Sequence, residues 1–340
     1  MTESEKGGWY RQWKFWAFVG YALIIVVICL CLFVSVQEVP IWSFVPDSSF
    51  AFISININED AMSTTALLNR MELWMMESEV SRAKRFMIKR VFSSFLPERI
   101  IAIAVASGEA KPDFLLVVRM GGVIRLAKLF PGQIDRAFFG EEDFDEEKVR
   151  GHRVKYAAAA RDGFGFGAYA IIEKTFVAGS GYTVLKDALT RYTSMNSKNM
   201  RPQHLTPIFL RSSDQHSFSV FADNSARDLS NITDYIEEKY AFAVFPSMDA
   251  VEMVYGSVVL EEEQVTGLIT FLSNDAARLR EVRSDVKYIY GAMRRKLKPS
   301  NISLKGDVQT RGSRVLFEFS VPDYIDAMIN YLSEERGESE

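Results

Sequence analysis

The chain has 340 residues, a formal net charge of −4, two cysteines and three histidines. Three of the 40 basic and three of the 44 acidic residues fall in the first 40 positions, so the remainder is mildly acidic and gives no support for nucleic-acid binding. Both cysteines, Cys29 and Cys31, sit inside one apolar run, which leaves the rest of the chain without disulfide or thiolate chemistry.

That run, Trp16 to Val36, has 21 residues, no charge and no proline, and Leu, Ile, Val and Phe fill 13 of its positions. A helix rising about 1.5 Å per residue needs roughly 20 such residues to cross a hydrocarbon core of ~30 Å. Trp9, Trp13 and Trp16 precede or open the run and Trp42 follows it, a placement that suits an aromatic belt at the headgroup layer. Lys6, Arg11 and Lys14 lie before the run, and the next basic residue is Arg70. The bias predicts a single-pass protein with a cytoplasmic N-terminus and an extracytoplasmic body, periplasmic in a Gram-negative cell. The expected membrane-interface residues are Trp9, Arg11, Trp13, Lys14, Trp16 and Trp42. A cleaved signal peptide is the alternative; its apolar core is shorter, about 7–15 residues, and Val34-Ser35-Val36 makes a poor cleavage site.

Residues 37–48 form a linker with Pro40 and Pro46. Ser49–Asn58 alternates isoleucine with polar residues and predicts a strand. Asp60–Phe95 predicts an amphipathic helix, with Arg82, Lys84, Arg85, Lys89 and Arg90 either on a solvated face or facing anionic headgroups. Ile100–Ala106 and Phe114–Arg119 predict a hairpin, and Gly121–Phe130 a short helix stopped by Pro131. The acidic run Glu141–Glu147 lacks the glycine turn of a calcium loop and reads as a solvated loop. Arg153–Ala160, Gly167–Ile172 and Lys174–Ala178 predict strands; the glycine-rich Asp162–Gly167 runs into a strand rather than a helix, unlike a phosphate loop. A helix follows Gly179-Ser180-Gly181, carrying Leu185, Ala188 or Leu189, and Tyr192 on one face.

Residues 193–210 read as a connector. Beyond it, Gln215–Ala222 predicts a strand, Ser225 and Asp228 a capping box, and Tyr240–Phe245, Ala250–Leu260 and Gln264–Leu272 further strands. Asn274 is the expected N-cap of a helix with Leu279, Val282, Val286, Ile289, Met293 and Leu297 on one face. Arg294, Arg295, Lys296 and Lys298 fill its last turn, where cations suit the dipole. A hairpin around Arg311-Gly312, a short last helix and a disordered tail at 334–340 complete the chain.

The expected fold class is α+β. A tail at 1–15 and a transmembrane helix at 16–36 precede two α+β halves, 49–192 and 211–333, each an antiparallel sheet with helices on one face. Their similar element order, compared over Asp60–Tyr192 and Asn274–Leu332, suggests either an internal duplication or a shared way of covering a sheet.

Residues 45–56, VPDSSFAFISIN, and 179–189, GSGYTVLKDAL, resemble segments of an uncharacterised bacterial envelope family, a domain of unknown function. The resemblance implies one N-terminal span and a large outer α+β region, and it carries no catalytic residue to this chain.

His152, His204 and His216 lack metal-ligand partners at a useful spacing, and no nucleophile elbow, zinc-protease helix or P-loop occurs. No catalytic, cofactor or metal site is expected, and the chain reads as a non-enzyme. The first reading is a membrane-anchored binding or scaffold protein of the envelope, held to the lipid bilayer through residues 16–36, with an envelope protein partner. The second is an apolar-ligand or lipid-handling domain, because 25 phenylalanines and 13 methionines suit an adaptable apolar cavity. The third is a carboxylate-based envelope hydrolase.

Overall fold

Period-two alternation puts every second side chain of a strand on the same face, and the chain uses that rule through one continuous sheet. A computed structural model describes residues 39–57, 97–107, 112–120, 131–140, 143–157, 166–194, 216–229, 245–261, 264–273, 275–299 and 302–324. The strands are β1 (Ser49–Asn56), β2 (Pro97–Val105), β3 (Asp113–Met120), β4 (Phe144–Val149), β5 (His152–Ala157), β6 (Ala168–Ile172), β7 (Thr175–Gly179), β8 (Phe218–Asp223), β9 (Met253–Leu260), β10 (Gln264–Leu272), β11 (Lys305–Arg311) and β12 (Arg314–Pro322). Three α-helices are described, α1 (Pro131–Phe139), α2 (Tyr182–Ser194) and α3 (Leu279–Leu297). All twelve strands join in the order β11-β12-β10-β9-β8-β1-β2-β3-β7-β6-β5-β4, and every neighbouring pair is antiparallel.

Register assigns the faces. Phe52 lies opposite Phe221 and Ile103, Ile103 opposite Leu115, and Ile101 opposite Val117, which pairs with Val177. These residues share one face, where α2 covers them with Val184, Leu185, Ala188 and Leu189. The residues between them point the other way. There α1 packs Phe139 against Tyr169 and Ala178, and α3 packs Val282 and Val286 against Val308, Val315 and Phe317. The sheet therefore has helices on both faces.

Two units of strand order repeat within the sheet. β1-β2-β3-β7-β6 in the first part matches β8-β9-β10-β12-β11 in the second. The helix after the third strand, α1 or α3, lies on the same face in both. The starts of the units share a spacing too: Ser49-Phe50 precedes Asn56 as Ser217-Phe218 precedes Asn224. The β4–β5 hairpin is extra and extends only the first unit.

This architecture corrects the expected fold class. Two α+β halves with separate sheets are replaced by a single sheet-dominated layer, because β1 and β8 pair directly over Ala51↔Ala222 to Ile55↔Phe218. Helices on one face are replaced by helices on two, because strands such as β6 and β7 bury residues on both sides. The repeated units begin at β1 and β8, not at Asp60 and Asn274. No helix among the described residues is long and apolar enough to cross a membrane; residues 16–36, which carry that expectation, lie outside the described residues.

Local corrections have local causes. The helix expected over Gly121–Phe130 lies outside the described residues, and the described part of α1 starts at Pro131. The acidic run contributes Phe144–Glu147 to β4, an exposed edge strand where charge discourages further pairing. Asn274 lies outside the described residues, and α3 starts at Leu279 after a turn in which Asp275 accepts from the Ala277 N–H. At the expected capping box, Asn224 rather than Ser225 accepts the Leu229 N–H, at 2.9 Å. The helices expected over 60–95 and after Asp323, and the glycine run up to residue 165, fall outside the described residues.

The Phe52 and Phe221 rings, 6.2 Å apart and both 1% exposed, fill the centre where the two units meet. Phe221→Ala should cost about 3–5 kcal/mol of stability. Phe52→Ala and Phe221→Ala together should cost less than the sum of the single changes, because both empty one shared space. Urea unfolding of the four proteins, followed by near-UV circular dichroism, measures both effects.

Candidate functional site

Glycine decides where an aromatic ring can lie close against this sheet. On the α3 face, Gly267 of β10 lies directly opposite Phe319 of β12, and Gly306 of β11 flanks Phe319 on the other side. The ring lies flat over Gly267: a Cβ there would sit 2.3 Å from the ring atoms, far inside contact distance. The ring takes the place a side chain at 267 would need, and Phe317 and Tyr290 crowd Gly306 in the same way. Between α3 and these rings lies a cavity of about 150 Å³.

Its walls come from four sources. Val286, Ile289 and Met293 project from α3 at helical spacing; Ile269 and Phe271 rise from β10; Phe317 and Phe319 rise from β12; Phe245 and Leu304 close the ends. Every one is apolar. Water in such a space finds none of the two to four polar partners it needs, whereas dry cavities of this size accept benzene. Left empty, the void costs up to about 3–4 kcal/mol at ~24 cal/mol per Å³.

The first half of α3 is tied down by polar contacts. Asp285 accepts the Ser247 hydroxyl at 2.6 Å and the Ser247 N–H at 2.9 Å. Arg278 grips both oxygens of Asp249 at 2.7 and 2.9 Å and also reaches Glu281. That hydrogen-bonded pairing holds the Asp249 carboxyl below its usual range. Arg283 donates to the Val308 carbonyl at 3.2 Å. The second half, over the cavity, has Tyr290 donating to the Leu304 carbonyl at 3.4 Å.

A second cluster lies under α1. Asp135 accepts Lys155 Nζ on one oxygen at 2.6 Å and the Tyr169 hydroxyl on the other at 2.5 Å. Lys155 is 8% exposed and Tyr169 4%. Aromatic rings surround them: Phe144 lies 5.1 Å from Nζ, and Phe138, Phe139 and Phe176 pack on Tyr169. Both carboxylate oxygens are engaged, so the group is a clasp that holds α1 on the sheet. Burial, followed by the hydrogen bond to Asp135 and its charge, pushes the Tyr169 hydroxyl well above the ordinary tyrosine range.

The expected interface residues separate. Trp42 lies in a 3-10 turn, Ile41–Phe44, 8% exposed, with the Arg99 guanidinium 5.2 Å from its ring centre. Its indole is covered by protein, so burial in the core replaces the expected headgroup contact. Much of the expected linker is packed as well: Phe44 stacks on Tyr192 at 4.7 Å, and Arg119 donates to the Val39 carbonyl at 2.8 Å. Trp9, Arg11, Trp13, Lys14 and Trp16 lie outside the described residues. Among the described residues no group of His, Cys, Asp and Glu is placed to hold a metal ion, and His152 instead packs its ring on Tyr192. No carboxylate lines the cavity.

Neither feature was visible in sequence. Asp135, Lys155 and Tyr169 are brought together only by the β5–β6 pairing and the return of α1. The cavity depends on Gly267 facing Phe319, a cross-strand register. The frequency of Phe and Met was its one compositional signal.

No protein-family model matches the chain, and no curated protein sequence matches it. Solved structures are similar at low level: three crystal forms of TP0453 give TM-scores of 0.42 to 0.44 at 12–13% identity, covering 87% of this chain and 96–99% of TP0453. A likeness of that extent assigns neither family nor function.

Two outcomes test the clasp. Asp135→Ala leaves a buried lysine without its partner and should cost about 3 kcal/mol or more, read from the urea midpoint. Tyr169 ionises near pH ~10 in the unfolded chain but at higher pH in the fold, so its contribution is fully present below ~10 and declines as pH rises further. Between pH ~9 and ~11, Tyr169→Phe should therefore lose less stability than the native chain.

Proposed function

We propose that the protein is a membrane-tethered binding protein of the cell envelope that takes an apolar ligand into the cavity beneath α3. The observation that carries the reading is the lining: about 150 Å³ enclosed by nine residues without a polar group among them. An apolar occupant recovers the contacts such a void forfeits. The abundance of phenylalanine, four of the nine lining residues, supplies large surfaces that adapt to a chain or ring.

The tether rests on the sequence. Residues 16–36 are long and apolar enough to cross a bilayer, and the basic residues before them favour a cytoplasmic N-terminus with the sheet on the far side. A body held at a membrane is surrounded by apolar chains, which makes a lipid-like ligand the natural occupant. Carboxylate-based hydrolysis gains no support from a cavity that lacks acidic groups.

The test uses the full chain in phosphatidylcholine nanodiscs with a small diazirine-bearing octanol as probe. After irradiation, peptide mapping should place label on residues 264–272 of β10 as well as on 16–36. Val286→Trp fills the cavity and should remove the β10 label while the label on 16–36 persists as an internal standard. Label absent from β10 in the native chain, with 16–36 labelled, refutes the reading.

A further inference from the structure

The inward stripe of α3 loses burial along the helix. Leu279, Val282 and Val286 are 6%, 0% and 3% exposed, whereas Ile289 and Leu297 are half-buried and Met293 is 41% exposed. The polar anchors follow the same gradient. Arg278, Arg283 and Asp285 hold the first half to Asp249, the Val308 carbonyl and Ser247. Beyond Val286, Tyr290 reaches the Leu304 carbonyl at 3.4 Å, long for a hydroxyl donor, and packs its ring on Phe317. Lys296 has a partner too, but it is exposed, and an exposed lysine restrains a helix weakly.

Gly291 lies inside α3 where this change occurs. Glycine is a poor choice for a helix interior, second only to proline. Packing gives no reason for it: a Cβ at 291 would meet only Arg295 Nη1, the end of a flexible side chain, at 3.6 Å. At Gly256 and Gly267, by contrast, a Cβ would come within 2.5 and 2.3 Å of backbone or ring atoms. Nor does residue 291 shape the cavity. At about 100° per residue it lies roughly 160° around the helix from Met293, on the far side. What glycine supplies here is backbone freedom, which is what a hinge needs.

We infer that Gly291 is the hinge of a gate: residues 291–297, the last two turns of α3, swing away from the sheet to admit the occupant of the cavity and then close over it. The inference rests on the proposed cavity function and adds the route of entry. The other routes are held shut. The anchored first half of α3 keeps Val286 down on the sheet, Phe245 stacks on Phe271 at one end, and paired β10 and β12 make a continuous floor. The passage that remains lies between Met293 and Leu304. Lifting the last two turns gives up little apolar burial, since Met293 is already exposed and Leu297 only half-buried, so this opening is among the least costly motions of the helix. Tyr290 precedes the hinge and keeps its ring on Phe317.

The experiment follows entry in time. The full chain in phosphatidylcholine nanodiscs is mixed with the diazirine-bearing octanol at low concentration and flash-irradiated at increasing delays. Label on residues 264–272 is scored against label on 16–36. Gly291→Ala should slow the rise of the β10 label roughly fivefold, the ratio that corresponds to alanine's helix preference over glycine, and leave its final level unchanged, because the closed form is the same. Ser284→Ala, at an exposed position of the anchored half, also raises helix preference and should leave the rate unaltered. In the native chain, saturating octanol should slow hydrogen exchange over 291–297 more than over 280–286, a readout that needs no substituted protein. An unchanged labelling rate in Gly291→Ala, equal slowing by Ser284→Ala, or exchange over 291–297 that octanol does not alter overturns the gate and leaves the cavity function standing. Absence of β10 label in the native chain, with 16–36 labelled, overturns both.

Discussion

The pairing of β1 with β8 is the constraint on which the architecture depends. These strands are the sixth and fifth of twelve, and five residue pairs join them across the middle of the sheet. Phe52 and Phe221 are nearly fully buried on the α2 face, with Ser54 and Ser219 beside them, opposite each other and fully buried. Arg99 donates to the Ser54 hydroxyl, so the buried polar atom has a partner. Without this seam each unit would expose a raw inner edge of unpaired backbone groups. The strands are more than 160 residues apart in sequence, and closing so long a loop precedes any return from the contact, which makes the seam a late and slow event in folding.

The repeated strand order gives a controlled contrast within one molecule. α1 and α3 occupy equivalent places on the same face, yet their undersides differ. Beneath α1, Phe138, Phe139, Tyr169 and Phe176 fill the space, and Lys155, Asp135 and Tyr169 lock the helix down. Beneath α3, Phe319 lies down against Gly267, and an apolar void remains between the rings and the helix. Closing this topological position is within reach of the fold, as the first unit demonstrates. The second unit leaves it open, and that is the argument for assigning the void to a ligand rather than to an intrinsic packing defect of the topology.

Local elements were legible in the sequence where alternation or helical spacing was strong. Ile53, Ile55 and their polar neighbours gave β1; Val315, Phe317 and Phe319 gave β12; Leu185, Ala188 and Leu189 gave α2. Topology was not legible, because an antiparallel strand rich in isoleucine and phenylalanine suits either a separate half-sheet or a continuous one. What decides is which edge Phe52 finds, and that partner is Phe221, far along the chain. Trp42 shows the same limit in one side chain. An indole six residues beyond an apolar run suits a headgroup layer equally well as a core, and the choice is made by Arg99 and by the 3-10 turn that directs the ring inward. The clasp and the cavity lie one level further from the sequence, since each requires three or more elements to be placed before its residues meet.

The ends of the sheet bear on how the protein meets a partner. β11 presents Lys305, Asp307 and Arg311 at one edge, and β4 presents Glu146, Glu147 and Lys148 at the other. Charged edge strands resist the addition of a further strand, so backbone pairing is an unfavourable mode of recognition for this body. Recognition then falls to side-chain surfaces, and the uncharged lining of the cavity beneath α3 is such a surface, made of rings and branched chains that meet an occupant by shape and dispersion rather than by backbone pairing.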